Sequence, residues 1–167
     1  TQREAVKKQT DGISLFYTDL DRDHVEIHAV PKMGRKAVDS NAVFYDDMPI
    51  PHDDLIGEEG KGFHYILHGL NPERILLAAE SVGLGRAALN RATDYANERE
   101  VFGRKIGMNQ AIQHPLAKCW MELEAANLMA FNAAAKYAAR EACGAEANAS
   151  KYLAARLVSM RASKLFS

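Results

Sequence analysis

Residues 70–103, LNPERILLAAESVGLGRAALNRATDYANEREVFG, decide how this chain folds. The stretch reads as one long helix with a marked start and a marked stop. Asn71 is a favoured N-cap, its side-chain oxygen able to accept from a first-turn N–H. Pro72 then takes the first helical position, where its missing N–H costs nothing. Ile75, Ala78, Val82, Gly85, Leu89, Ala92 and Ala96 step by three and four, giving one apolar stripe roughly seven turns long. A basic side chain, Arg99, leaves the helix where a Phe102-Gly103 turn bends the chain. Chemistry is expected at the two ends, Glu73-Arg74 and Arg99-x-x-Phe102-Gly103.

Toward the C-terminus, Gly103–Met108 reads as loop and Gln110 to about Ala142 as a second long helix. Its stripe is Leu116, Cys119, Leu123, Ala126, Ala130, Ala133 and Tyr137. Pro115 lies near its start and should kink it or delay regular helix. Trp120, Met121 and Met129 read as core or bundle packing. Cys143-Gly144 should end this helix, and Ala145–Leu165 give a third with Ala149, Leu153, Leu157 and Met160 inward. Three long antiparallel helices with short links indicate a helical bundle.

Upstream, Gly62–Gly69 reads as a separate short helix. Before it, Asp53–Gly62 is an acidic connector punctuated by glycine, with a domain boundary near Gly57. Ile13–Thr18, Val25–Val30 and Ala42–Tyr45 have the β-branched, aromatic and alternating character of strands, with Pro31–Asp39 a loop between the last two. So few short strands are marginal by themselves. The fold class is α+β.

Composition narrows function by exclusion. Charged residues make up 26% of the 167 and the net charge is −1, which argues against nucleic acid or an anionic membrane held by bulk charge. No apolar run approaches the roughly 20 residues needed to span a bilayer. The two cysteines, Cys119 and Cys143, lie in helical stretches and read as buried free thiols of a reducing compartment. Neither the His64/His68 pair nor the His24/His28 pair brings a third ligand, so no metal is expected. Gly57–Gly62 flanks Lys61 with glycine but lacks phosphate-loop spacing.

Taken jointly, Asn71-x-Glu73-Arg74, the Ala/Gly-rich run to Gly85, Tyr95-x-x-x-Arg99-x-x-Phe102-Gly103 and the following Gln110 resemble the acyl-CoA dehydrogenase family of flavoenzymes. The likeness extends to Gly12–Leu20, Lys32-Met33-Gly34-Arg35 and Gly57–Phe63. It implies residues 1–56 as the C-terminal part of a middle antiparallel β-domain. Residues 57–167 become an incomplete antiparallel four-helix bundle. The implied reaction is FAD-dependent α,β-dehydrogenation of an acyl-CoA thioester to the trans-2-enoyl-CoA, with electrons passing to an electron-transferring flavoprotein. A homodimer or homotetramer in the cytoplasm, or in the mitochondrial matrix of a eukaryote, is the implied setting. The 167 residues alone are expected to hold part of a site and not to turn over.

Each site residue also has a plain structural reading. Arg99 would complement a helix C-terminus, for tenths of a kcal/mol. Its guanidinium is also a bidentate partner for phosphate oxygens. By resemblance, Arg99, Phe102 and Gln110 contact FAD held mainly by a neighbouring subunit. Glu73 could be merely an acid in a first helical turn. In a minority of the family, including isovaleryl- and long-chain-type enzymes, the catalytic base stands at the position matching Glu73; most others carry it later in the chain. Asn71 and Arg74 match positions that contact the acyl-CoA. Arg35 departs from the family's usual Gly-x-Arg pattern, and loop is its default. The alternatives are an acyl-CoA oxidase or related flavoprotein of the same fold, or a helical interaction module without chemistry.

Overall fold

A computed structural model gives the architecture and describes residues 8–34 and 36–157. Arg35, Met160 and the end of the expected third helix lie outside the described residues. The chain divides into two compact units, Thr1–Ile66 and Leu67–Ser167.

The first unit is built from short antiparallel pairs. Strand β1 (Leu15–Phe16) pairs with β4 (Leu55–Ile56), Leu15 opposite Ile56, and β2 (Val25–Ala29) pairs with β3 (Asn41–Tyr45), Val25 opposite Tyr45. Val25 is the one buried large apolar side chain among the described residues of this unit, while Phe44 and Tyr45 stand exposed. The Gly57–Gly62 run serves backbone geometry. Gly57 and Gly60 hold φ of 70° and 80°, and a Cβ on Gly62 would lie 2.5 Å from the Leu15 nitrogen. Gly60 N–H donates to Ser14 Oγ at 2.9 Å and Gly62 N–H to the Ile13 carbonyl at 2.6 Å, which ties the connector to β1.

The second unit is helical. Helix α1 is a single rod of 37 residues, Gly62–Glu98. This corrects the expected break at Asn71: that residue lies inside the helix and is not its N-cap, and Gly62–Gly69 is not a separate element. Pro72 removes one intrahelical bond, to the carbonyl of His68. His68 is exposed, so water can take the place of the missing donor. Helix α2 covers Gln110–Ala138, again with a proline, Pro115, in its first turns, and α3 covers Gly144–Leu157. Two further strands, β5 (Glu100–Val101) and β6 (Arg104–Lys105), form a hairpin where loop was expected, followed by a 3-10 turn at Ile106–Met108.

The expected stripes of α1 and α2 pack on each other. Ile75 groups with Ala133, Ala78 and Val82 with Ala126 and Ala130, and Leu89 with Cys119 and Leu123. Numbers rising along α1 and falling along α2 make the pair antiparallel. Gly85 sits where the helices approach closely: a Cβ there would stand 2.5 Å from Leu123 Cδ2. On α3 the buried positions are Ala147, Ser150 and Ala154, with Leu157 partly buried, so the inward face is not Ala149 and Leu153. Small residues on both sides let α2 and α3 approach, and the larger Tyr152 and Leu153 turn outward. Trp120 and Met121 are each more than half exposed, so of the two expected readings, core or bundle packing, the structure excludes the core. Among the described residues no helix is long and apolar enough to cross a membrane.

Candidate functional site

Two groups of site residues fall on α1 and its immediate continuation. Near the front, Glu73 is exposed while Asn71 and Arg74 are half-buried. Arg74 Nη1 donates to Asn71 Oδ1 at 3.1 Å, the i, i+3 spacing that places two side chains on one helical face. Among the described residues the Glu73 carboxylate has no hydrogen-bond or ion-pair partner. It lies about three turns inside α1, so the positive end of the helix dipole does not bear on it. Beside Arg74 an open groove of about 720 Å³ is lined also by Lys151, Tyr152 and Arg156 of α3. Three cations on one groove suit an anionic ligand.

At the rear, the Arg99 backbone is held on both sides. Its N–H donates to the Tyr95 carbonyl at 2.8 Å, and its carbonyl accepts from Ile106 N–H at 2.9 Å. The side chain is exposed, and the guanidinium has no partner among the described residues. Phe102 and Gly103 form the two-residue tip between β5 and β6, with φ of 55° and 75°. Positive φ at both central positions is the turn that matches the twist of paired strands, and Asn-Gly is its usual sequence. A phenylalanine there is strained, and its ring is fully exposed. Strain and exposure together at one aromatic are neither core packing nor good turn chemistry; they fit a ring presented to a partner. Gln110 is exposed on the first residue of α2. An unpartnered guanidinium on a fixed backbone, a flat exposed ring and an amide form a set suited to a diphosphate joined to a planar ring system.

The sequence did not reveal what holds this hairpin. Asn109 Oδ1 accepts from Arg104 Nη2 at 2.5 Å and Asn109 Nδ2 donates to the Ile106 carbonyl at 3.0 Å. Gln113 Nε2 donates to the Gly107 carbonyl at 2.8 Å. Gly107 itself admits no side chain, since a Cβ would lie 2.8 Å from the Ala96 carbonyl oxygen. Asn directly before a helical pattern was a visible signal, but it signals capping and not a tie to an earlier strand.

Along the axis, Glu73 and Arg99 are about 39 Å apart at 1.5 Å per residue. The structure therefore brings Asn71 and Arg74 together, and Arg99, Phe102 and Gln110 onto adjoining elements, but does not join the two groups within one chain. No cluster of three His, Cys, Asp or Glu side chains able to hold a metal occurs among the described residues.

Comparison with known proteins gives consistent matches. The family described as acyl-CoA dehydrogenase, C-terminal domain, matches residues 60–165. Acyl-CoA dehydrogenase FadE12 of Mycobacterium tuberculosis is 47% identical over 115 residues, 68% of this chain and 30% of that protein. The CarC subunit of the caffeyl-CoA reductase-Etf complex of Acetobacterium woodii is 33% identical over 153 residues, 91% of this chain and 40% of that protein. Butyryl-CoA dehydrogenase of Megasphaera elsdenii superposes with a TM-score of 0.82 at 28% identity, over 98% of this chain and 44% of that one. The chain thus spans less than half the length of these relatives.

Proposed function

This chain belongs to the acyl-CoA dehydrogenase family, and from that premise we propose that it contributes the substrate-base end and the cofactor-clamp end of an enzyme that oxidises acyl-CoA thioesters to trans-2-enoyl-CoA. The observation that carries the reading is that Glu73 and the Asn71–Arg74 pair lie about three turns into α1, far from Arg99 and the exposed Phe102 just beyond its C-terminal end. FAD, when bound, supplies the two-electron acceptor for the hydride that leaves the β-carbon.

The chain's own residues do the rest. Glu73 takes the α-proton of the thioester as its C–H bond breaks and the electron pair becomes the new double bond. A carboxylate with no competing partner is free to accept that proton once acyl chain and protein have excluded water. Asn71 fixes the guanidinium of Arg74, whose remaining N–H groups face the acyl-CoA. Lys151 and Arg156 extend that cationic wall toward the phosphates of coenzyme A. Arg99, Phe102 and Gln110 would hold FAD, the guanidinium suiting its diphosphate and the aromatic ring and amide its ring system. Since those residues lie far from Glu73 on the same rod, they serve the cofactor of a second copy, and the working unit is a homodimer or homotetramer. The proposed electron acceptor is an electron-transferring flavoprotein, a reading supported by the Etf complex to which the CarC relative belongs. Cys119 and Cys143 are buried thiols outside any disulfide, in keeping with a reducing setting, the cytoplasm or the mitochondrial matrix of a eukaryote.

The test is Glu73→Gln in the assembled, flavin-loaded protein. Removing a general base should slow anaerobic flavin bleaching by acyl-CoA roughly 10²–10⁴-fold, with acyl-CoA affinity little changed. Bleaching at near wild-type rate would place the base elsewhere.

A further inference from the structure

We propose that Asn109 is the positioning residue of the FAD clamp: its amide lashes the β5–β6 hairpin to the start of α2 and so fixes Phe102 relative to Gln110. This rests on the clamp reading above and goes beyond it, because Asn109 itself need touch no cofactor.

The argument begins with what Asn109 does not do. It occupies the N-cap of α2, and asparagine is among the residues that best cap a helix by accepting from a first-turn N–H. Here the side chain makes no such bond. Only its backbone carbonyl serves the helix, accepting from Ile112 N–H at 2.9 Å and Gln113 N–H at 3.0 Å. The amide is turned back toward the hairpin instead. Its oxygen meets the Arg104 guanidinium on β6, and its nitrogen meets the Ile106 carbonyl in the 3-10 turn. The partners settle the orientation, since a guanidinium only donates and a carbonyl only accepts.

This tie sits where the hairpin needs it. The two-residue strands are too short to hold their own geometry, and the tip carries a phenylalanine at φ of 55°. A strained tip persists only when its surroundings over-determine it. Ile106 N–H to the Arg99 carbonyl closes the hairpin base, and Gly107 packs against the Ala96 carbonyl; Asn109 supplies the link between β6 and the helix that bears Gln110. Arg104 acts through the same link.

The experiment measures FAD binding to the assembled apoprotein by flavin fluorescence, with the visible circular dichroism of the bound flavin as a signature of its placement. Asn109→Ala should weaken FAD binding about tenfold and change the dichroism, the loss expected from one charge-assisted hydrogen bond. Asn109→Asp keeps the acceptor for Arg104 and should recover most of both. Arg104→Met cuts the bond from the exposed side, and combined with Asn109→Ala it should add nothing further. If Asn109→Ala does not fold, Arg104→Met carries the test alone. Wild-type affinity and dichroism in Asn109→Ala, or in Arg104→Met, with Phe102→Ala and Arg99→Ala both weakened, would overturn the positioning role and leave the clamp standing. Should Phe102→Ala and Arg99→Ala also bind FAD normally, the clamp reading itself fails, and this proposal with it.

Discussion

Gly83 and Gly85 stand two residues apart on α1 and have opposite consequences. A Cβ on Gly83 meets nothing within 4 Å, whereas one on Gly85 drives into Leu123 Cδ2 in the core. Gly83→Ala should therefore raise stability by close to the full helix-propensity difference, about 1 kcal/mol. Gly85→Ala gains the same amount but must push the buried Leu123 from its place, at about 1–3 kcal/mol. A net loss of about 1 kcal/mol is expected. Urea unfolding of the two variants beside wild type checks this, and equal shifts of the same sign would refute the close packing at Gly85. Periodicity put Gly85 on the inward stripe but gave no reason to separate it from Gly83 by cost, because distance to the facing helix is not written in one strand of sequence. The same holds at the site. Arg99, Phe102 and Gln110 were singled out through the family resemblance and their roles stand as a proposal, while the strain at Phe102 and the tie at Asn109 became visible only with backbone angles and partners in hand.

At the scale of elements, the misreadings share one physical cause: local end signals lost to context. Asn71-Pro72 is a strong start signal, yet α1 runs through it. Gly144 looked like the stop of α2, but it opens α3, and α2 ends earlier on Arg140 at φ of 58°. There Glu141 N–H donates to the Lys136 carbonyl and Arg140 N–H to that of Tyr137, the paired bonds that commonly close a helix on glycine. What stabilises the α2–α3 corner is an ion pair between Lys136 and Glu146, half-buried across the turn. The hydrogen bond from Lys136 is the main reason the Glu146 carboxyl is held below its ordinary value of 4.5. The same bond chiefly raises Lys136 above 10.5. A carboxyl depressed on folding stabilises the fold above 4.5 and loses that contribution as pH falls through its folded value. A lysine raised on folding stabilises it below 10.5 and loses that contribution as pH rises through its folded value. Glu146→Gln should be less stable than wild type at neutral pH and converge with it on acidification below 4.5. Urea midpoints for the two proteins across pH 3–7 test this; a constant gap would mean the carboxylate contributes nothing to the corner.

For the whole molecule, the question is what the exposed surfaces and the length of α1 require together. Trp120, Met121, Leu128 and Phe131 line α2 with more than half of each side chain exposed, and Leu76, Leu84 and Tyr95 do the same on α1. Apolar surface of this extent on a helical unit marks a face that associates. The resemblance implied an incomplete bundle; it could not say which α2 residues would be outward, because Trp120 and Met121 read equally as core or as bundle packing. The rod sets the second requirement. On the roles proposed for Glu73 and Arg99, about 39 Å apart, base and cofactor clamp meet in one site only if two copies of the chain contribute. Mixing inactive variants decides between one chain and two. In a mixed dimer of Glu73→Gln with Arg99→Ala, one site combines both defects and the other draws an intact base from one chain and an intact clamp from its partner. Random mixing makes half the dimers mixed and one site in each of these whole, so activity should return to about a quarter of wild type at limiting FAD. Each variant alone should remain near its own low rate. If base and clamp instead served the same site from one chain, every site in the mixture would carry one defect, and mixing would yield only the average of the two parents.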